Sequence, residues 1–407
     1  MKLYYIADEK MYCFDGRQTE ELHSTVYDGY TERLYYNAKA SEWKTQGQGA
    51  RFTQTFDPNS AEDKLQNVSV YTDCLFPTDD TVFFTQTIDG VSGLYRKQQG
   101  ANDGIVFSDN AQMYTHFDFH RDQFVVSVES AGESHIAICP KDSVYVRTLT
   151  EAETRDSHPV WSRFEDGVIY YSSSGLELRS SRTDDDKPDS TPFGRMLTVQ
   201  RNIHRPVGPS SICRFDVPHG DIHEILTNDK LDFTHPFTDH NGNLYFIRKP
   251  YRPAAKHNVT ALGCLLDIVL FPFRLCRALL GFLNIFSMVY SGKALHKSGA
   301  SAAKEKDEKS IYLDGNMINA EKELKRNKKQ GDQNPGIIPR SFELCRISPN
   351  GDVTVLKKGV IAYTVTNDGI YYSNGSAILH LDHHGNETVI TKASRVTMLS
   401  VLEEDPS

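Results

Sequence analysis

The chain of 407 residues lacks the motifs that would assign it a chemistry. It has no glycine-rich loop to cradle a phosphate, no paired-cysteine zinc spacing and no nucleophile elbow, which sets aside the best-marked enzyme classes. Its seven cysteines are odd in number, and three of them (Cys13, Cys213, Cys345) recur at one position of a repeated strand. That is the pattern of buried thiols rather than a disulfide framework. The first residues, Met1 to Asp8, have strand character with no apolar leader or small-residue cleavage site, so the cytoplasm is the expected compartment. A net charge of −9, with no basic stripe outside one segment, argues against nucleic acid as the main partner.

What is present is a repeat. Its first unit is a strand, a turn and an apolar strand: Thr72-Asp73-Cys74-Leu75-Phe76-Pro77 leads to Val82-Phe83-Phe84, and Thr115-His116-Phe117-Asp118-Phe119 leads to Phe124-Val125-Val126. Further copies begin at Ser157-His158-Pro159, Thr234-His235-Pro236 and Tyr363-Thr364-Val365. The second unit is a hairpin of alternating apolar residues about a polar turn, clearest at Ile212-Cys213-Arg214-Phe215, Leu344-Cys345-Arg346-Ile347 and Ile378-Leu379-His380-Leu381. Two strands followed by a hairpin make a four-stranded propeller blade, which buries its faces only against neighbouring blades. Six hairpins accompany five internal first units, and the missing one is supplied by both chain ends, with Val396 to Leu399 beside Leu3 to Ile6. The expected fold is therefore an all-β, six-bladed β-propeller closed by its N- and C-terminal strands, formed by 1–247 and 341–407, with 248–340 as a helical insertion within one blade. A degenerate seventh blade within Tyr27 to Gln66, around Leu34-Tyr35-Tyr36 and Trp43, is the alternative.

The turn Pro159-Val160-Trp161-Ser162 before the strand Val168-Ile169-Tyr170-Tyr171 resembles the blades of TolB and dipeptidyl-peptidase N-terminal propellers, and Pro236-Phe237-Thr238 does so more loosely. The resemblance covers most of the chain outside its excursions and implies a fold, because such propellers serve both scaffolds and enzymes.

Three stretches depart from the blade template: Tyr27 to Gln66, Gly175 to Pro209, and Arg248 to Arg340. By strand alternation all three leave the ring on one face. The second holds Asp184-Asp185-Asp186 and several prolines and reads as a solvated acidic loop. In the third, Val259 to Val289 is apolar on a broad helical face, with Asp267, Arg274 and Arg277 on a narrow polar one and a kink expected at Pro272. Its candidate contact residues are Leu265, Leu266, Ile268, Val269, Leu270, Phe271 and Phe273 before and just after that kink, then Leu279, Leu280, Phe282, Leu283 and Phe286. Both ends of the segment belong to one blade, which rules out a single span, and its 31 residues fall short of the ~40 that two spans require. Basic residues flank it, Arg248, Lys249, Arg252 and Lys256 before and Lys293 and Lys297 after, and a charged helix is expected around Ala320 to Lys329. Residues 248–340 carry 17 Lys/Arg against 8 Asp/Glu, a net of +9 that leaves −18 on the rest. An apolar helix bracketed by cations fits an anionic membrane surface, and packing on the propeller or self-association through the insert fits it equally.

His116, His158 and His235 occupy matching positions near the start of the innermost strand in three blades, and Asp73 sits there in a fourth. Converging imidazoles with a carboxylate are the donor set of a divalent metal site, and hydrogen bonding to neighbouring backbone is the competing account. The leading expectation is a non-enzymatic scaffold for protein interaction, needing no cofactor and docked by its insert on a membrane surface or partner. The alternative is a metal-dependent hydrolase or lyase using the channel histidines.

Overall fold

The computed structural model describes residues 1–45, 61–98, 100–178, 204–206, 208–252, 310–313 and 316–402. Its strands form six four-stranded antiparallel blades. Blade I takes its innermost strand from the C-terminus (Val396–Leu402) and continues through Lys2–Ala7, Lys10–Phe14 and Thr19–Leu22. Blade II is Val70–Pro77, Thr81–Ile88, Val91–Gln98 and Gly104–Asp109. Blade III is Met113–His120, Gln123–Ser130, Glu133–Pro140 and a short outer strand, Arg147–Thr148. Blade IV comprises Thr154–Trp161, Val168–Leu178, Ser211–Asp216 and Asp221–Leu226. Blade V comprises Leu231–Thr238, Leu244–Pro250, Glu343–Ile347 and Val353–Lys358, and blade VI Ala362–Thr366, Gly369–Ser373, Ile378–Asp382 and Glu387–Thr391.

The alternating hydrophobic pattern of the strands is spent between blades. Leu75, Phe84 and Tyr95 of blade II pack on Tyr4, Ile6 and Met11 of blade I, while Phe83 and Leu94 face Phe117, Phe124 and Val126 of blade III. Trp161, Ile169 and Tyr171 of blade IV meet Val125 and Ile136 of blade III, and Val160 and Tyr170 meet Phe233 and Phe246 of blade V. Blade V in turn buries Ile247 and Leu344 against Tyr372 and Leu379 of blade VI. The last seam, between blades VI and I, carries the Tyr371 hydroxyl on Met1 Sδ at 3.0 Å and the bond from Arg395 N, just before blade I's closing strand, to Gly375 O at 3.1 Å. Cys13, Cys74, Cys139, Cys213 and Cys345 are free thiols, and burial pushes those of Cys213 and Cys345 up to about 11.

The stretch after blade I is not a seventh blade. It opens as an α-helix, α1 (Thr25–Thr45), followed by α2 (Ala61–Gln66). Ser24 accepts from Tyr27 N at its start, and Tyr27, Thr31, Leu34 and Ala38 turn inward at helical spacing. Thr25 and Asp103 exchange two hydrogen bonds of 2.7 Å, and Tyr30 donates to Asp89, so the helix is fixed to blade II. Tyr36 and Trp43 stay outside, 62% and 63% exposed. In blade IV the stretch from Gly175 is not loop from its outset, because the second strand runs on to Leu178 and pairs there with His204–Pro206.

Within blade V the second strand reaches Pro250, and the compact ring unit comprises Met1–Pro253 and Tyr312–Ser407, with Ala254–Ile311 a unit of its own. The helix over Ala320–Lys329, here α3, lies where the charge pattern places it, capped by Asn319, which accepts from Lys322 N. Within it Asn327 donates to the carbonyls of Gly336 and Ile338, and Ile337 N donates to Asn374 O, tying this stretch to blade VI. Gly336 leaves no space for a Cβ against Asn374, so a side chain there would force the two apart.

Closure rests on the register Leu3 to Val401, Tyr4 to Ser400, Tyr5 to Leu399 and Ile6 to Met398. Removing Ser394 to Ser407 takes away a whole innermost strand and uncovers two blade faces. The truncated chain is expected to lose its cooperative thermal transition or to melt at least 10 °C lower, on the order of several kcal/mol of lost apolar burial. An unchanged melting temperature would place the closure elsewhere.

Candidate functional site

The innermost strands line the channel, and those of blades II to V share a local break in pairing. The register shifts between Thr72 and Cys74, Tyr114 and Phe117, Ser157 and Val160, and Thr234 and Phe237. Asp73, His116, His158 and His235 all sit within these bulges, in mid-strand rather than near its start. The cause is partly compositional: Pro159 and Pro236 have no N–H to give the ladder, and a bulge is where a sheet tolerates them. His158 and His235, each just before its proline, adopt left-handed backbone angles (φ 52° and 55°), a strained state for a residue with a Cβ.

The bulges bring the imidazoles together as a column. Ring centroids lie 3.8 Å apart from His116 to His158 and again from His158 to His235, with planes inclined by 35° and 43°. His158 Nδ1 lies 3.1 Å from Ser157 Oγ, while its Nε2 is buried without a partner. From the innermost strand of blade VI, Tyr363 donates to His235 O at 2.6 Å. Sequence reasoning passed over Tyr363, although its strand is one of the repeat copies.

Burial holds His158 well below the usual imidazole range, and the neighbouring His116 and His235, then Lys249 and Arg155, push the same way. Asp73 moves oppositely, up to about 6, through burial and then the carboxylates of Glu9 and Glu129. The groups acting on Asp73 are therefore acidic and are not the imidazoles. The rings meet face to tilted face, at 35° and 43°. Among the described residues no group of three or more His, Cys, Asp or Glu is arranged to hold a metal ion.

Of the residues expected at the membrane or partner contact, Arg252 is described and exposed. Lys256, Lys293, Lys297 and the apolar set Leu265, Leu266, Ile268, Val269, Leu270, Phe271, Phe273, Leu279, Leu280, Phe282, Leu283 and Phe286 lie outside the described residues. Two cations of the expected flank are committed inward. Arg248 pairs with Glu343 at 2.5 Å, and Lys249, buried, stands 5.7 Å over the Phe342 ring.

A six-bladed ring with a histidine column in its channel defines the class as a β-propeller. No family model and no curated protein matches the chain. Among solved structures it is similar to TolB from Acinetobacter baumannii, at 8% identity and TM-score 0.46, over 98% of this chain and 66% of that one. It is similar also to a nidogen/laminin complex chain, at 8% identity and TM-score 0.44, over 98% of both chains. A puromycin hydrolase S511A mutant follows at 10% identity and TM-score 0.41, this chain spanning 44% of its length.

Acidification tests the column. A folded pKa below the unfolded value of ~6.5 means that the unfolded state binds the proton first, so stability present above pH ~6.5 is lost as pH falls, by at most about 1.4 kcal/mol per unit. Asp73, raised, acts in the opposite sense, its ionisation cost being relieved on acidification through about 6. Comparison with His158→Gln removes that contribution: between pH 7.5 and 5.5 the wild-type melting temperature is expected to fall further than the variant's. Equal falls would show that His158 is not linked to folding.

Proposed function

We propose that the chain is a non-enzymatic propeller scaffold that docks on an anionic membrane surface through its 254–311 unit. One observation carries the reading: the chain leaves the ring for its excursions between blades I and II and between strands two and three of blades IV and V, all connections of one face. The other face is closed by short turns. The excursion that leaves blade V carries in its sequence the apolar Val259 to Val289 segment, with Arg252, Lys256, Lys293 and Lys297 at its borders. Helix α1, with Tyr36 and Trp43 exposed, follows blade I on the same side. Among the described residues no helix is long and apolar enough to cross a membrane. Burying each Leu or Phe at the lipid boundary contributes about 1.5–3 kcal/mol, and each Lys or Arg near an anionic surface about 1 kcal/mol.

Wild type is expected to co-sediment with phosphatidylserine-containing vesicles, less in high salt but still measurably, and a Gly/Ser linker in place of Val259 to Tyr290 is expected to give a folded protein that stays in the supernatant. A dispersed wild-type monomer that ignores the vesicles overturns the proposal. A discrete oligomer that the linker variant converts to monomer overturns it as well, in favour of a contact between copies of the chain.

A further inference from the structure

On the face opposite the excursions, blades III and IV enclose a cleft of about 360 Å³. The turn between the first two strands of each blade makes its walls, with His120 and Arg121 from blade III and Ser162, Glu165 and Asp166 from blade IV. Arg147, on the short outer strand of blade III, overhangs it, and Val217 and Pro218 supply an apolar side.

The polar groups of this cleft divide by whether they are already engaged. Glu165 accepts from Arg214 and from the Tyr170 hydroxyl, and Asp166 is paired with Arg121. Behind the wall Asp118 accepts from Arg163 and from Trp161 N, both at 2.8 Å. The carboxylates are thus taken. What is left over among the lining residues is donors: the exposed Arg147 guanidinium and the indole Nε1 of Trp161, which is 5% exposed and has no hydrogen-bond partner. A buried donor without an acceptor costs roughly 1–3 kcal/mol, so a wall that contains one is short of an acceptor. Burial and then Arg163 lower the pKa of His120, which disfavours its charged form.

We infer that the cleft binds a small carboxylate with an apolar body. The carboxylate meets Arg147, whose planar fork suits bidentate pairing, and the apolar part lies along Trp161, Val217 and Pro218. The volume fits a ring with a short side chain, near the lower end of ligand pockets. Such an acid is either a free metabolite or the C-terminus of a peptide, which share the recognised group.

The chain has two tryptophans, so Trp43→Phe leaves Trp161 as its sole indole reporter. Titration of that variant with phenylacetate, with phenylacetamide, and with a tripeptide ending in phenylalanine as free acid or amide reads the site directly. The expected result is a saturable change in Trp161 emission with at least one of the two acids, and binding about tenfold or more weaker for its amide. Arg147→Gln, at an exposed position, should bring the acid down to the amide, and Arg147→Lys should recover part of the difference. Saturation by phenylacetate assigns a free acid, and saturation by the peptide acid alone assigns a chain terminus. No saturable change with either acid, or acid binding untouched by Arg147→Gln, overturns the inference.

Discussion

Every seam of this ring depends on one pairing, that of Val396–Leu402 with Lys2–Ala7. A blade has two apolar faces and cannot bury either by itself, so an open ring would expose a face at each end of the array. The closing strand adds more than its own hydrogen bonds, since Val396 and Leu399 are buried and Met398 packs in both seams flanking blade II. Chain ends that fray in most domains are here built into the core.

The same closed geometry explains the channel. Innermost strands converge on the axis, and side chains that would collide there must be turned aside or stacked. The bulges of blades II to V do this at one level, supported by side-chain hydrogen bonds in place of lost ladder bonds: Cys74 N donates to Thr85 Oγ1, and Thr85 Oγ1 donates across to Thr115 O. The strained angles of His158 and His235 persist because the packed ring leaves each histidine and its proline no other path. The same setting disfavours a charge on His158, since an imidazolium there would be buried and would face the neighbouring rings at 3.8 Å together with Lys249 and Arg155.

Strands were readable in the sequence because period-2 alternation and a four-strand repeat are both local and recurrent, and the closing pair followed from counting what the repeat left over. The aromatic run Leu34-Tyr35-Tyr36 looked strand-like because composition alone does not report period; the Ser24 cap and the spacing Tyr27, Thr31, Leu34, Ala38 carried the helical signal. Repeat position made His116, His158 and His235 equivalent, yet whether equivalent side chains converge or stack is decided by backbone angles that no motif spells out. Proximity along the chain misled for Arg248 and Lys249, where strand alternation sends one to Glu343 and the other to Phe342. The cleft between blades III and IV had no sequence signature, being assembled from two turns and an edge strand far apart in the chain.

The division of charge between 248–340 and the rest of the chain, +9 against −18, constrains how any docking can work. The ring is itself an acidic surface, so it competes with an anionic partner for the same lysines and arginines. Of the cations in that stretch, Arg248 faces Glu343, Arg340 is paired with Asp332, and Lys325 and Arg326 are paired within α3. The pairs of Lys325 and Arg326, on exposed cations, contribute little and are screened over about 8 Å at physiological salt, so they yield readily to a denser array of negative charge, whereas Arg248, part-buried against Glu343, stays engaged. The ring's own charge repels that same array, which favours approach by the excursion face with the rest of the propeller held away. In the proposed docking, attraction and repulsion together would orient the molecule before the apolar segment made any contact, and the apolar segment would then supply the part of the binding that salt does not remove.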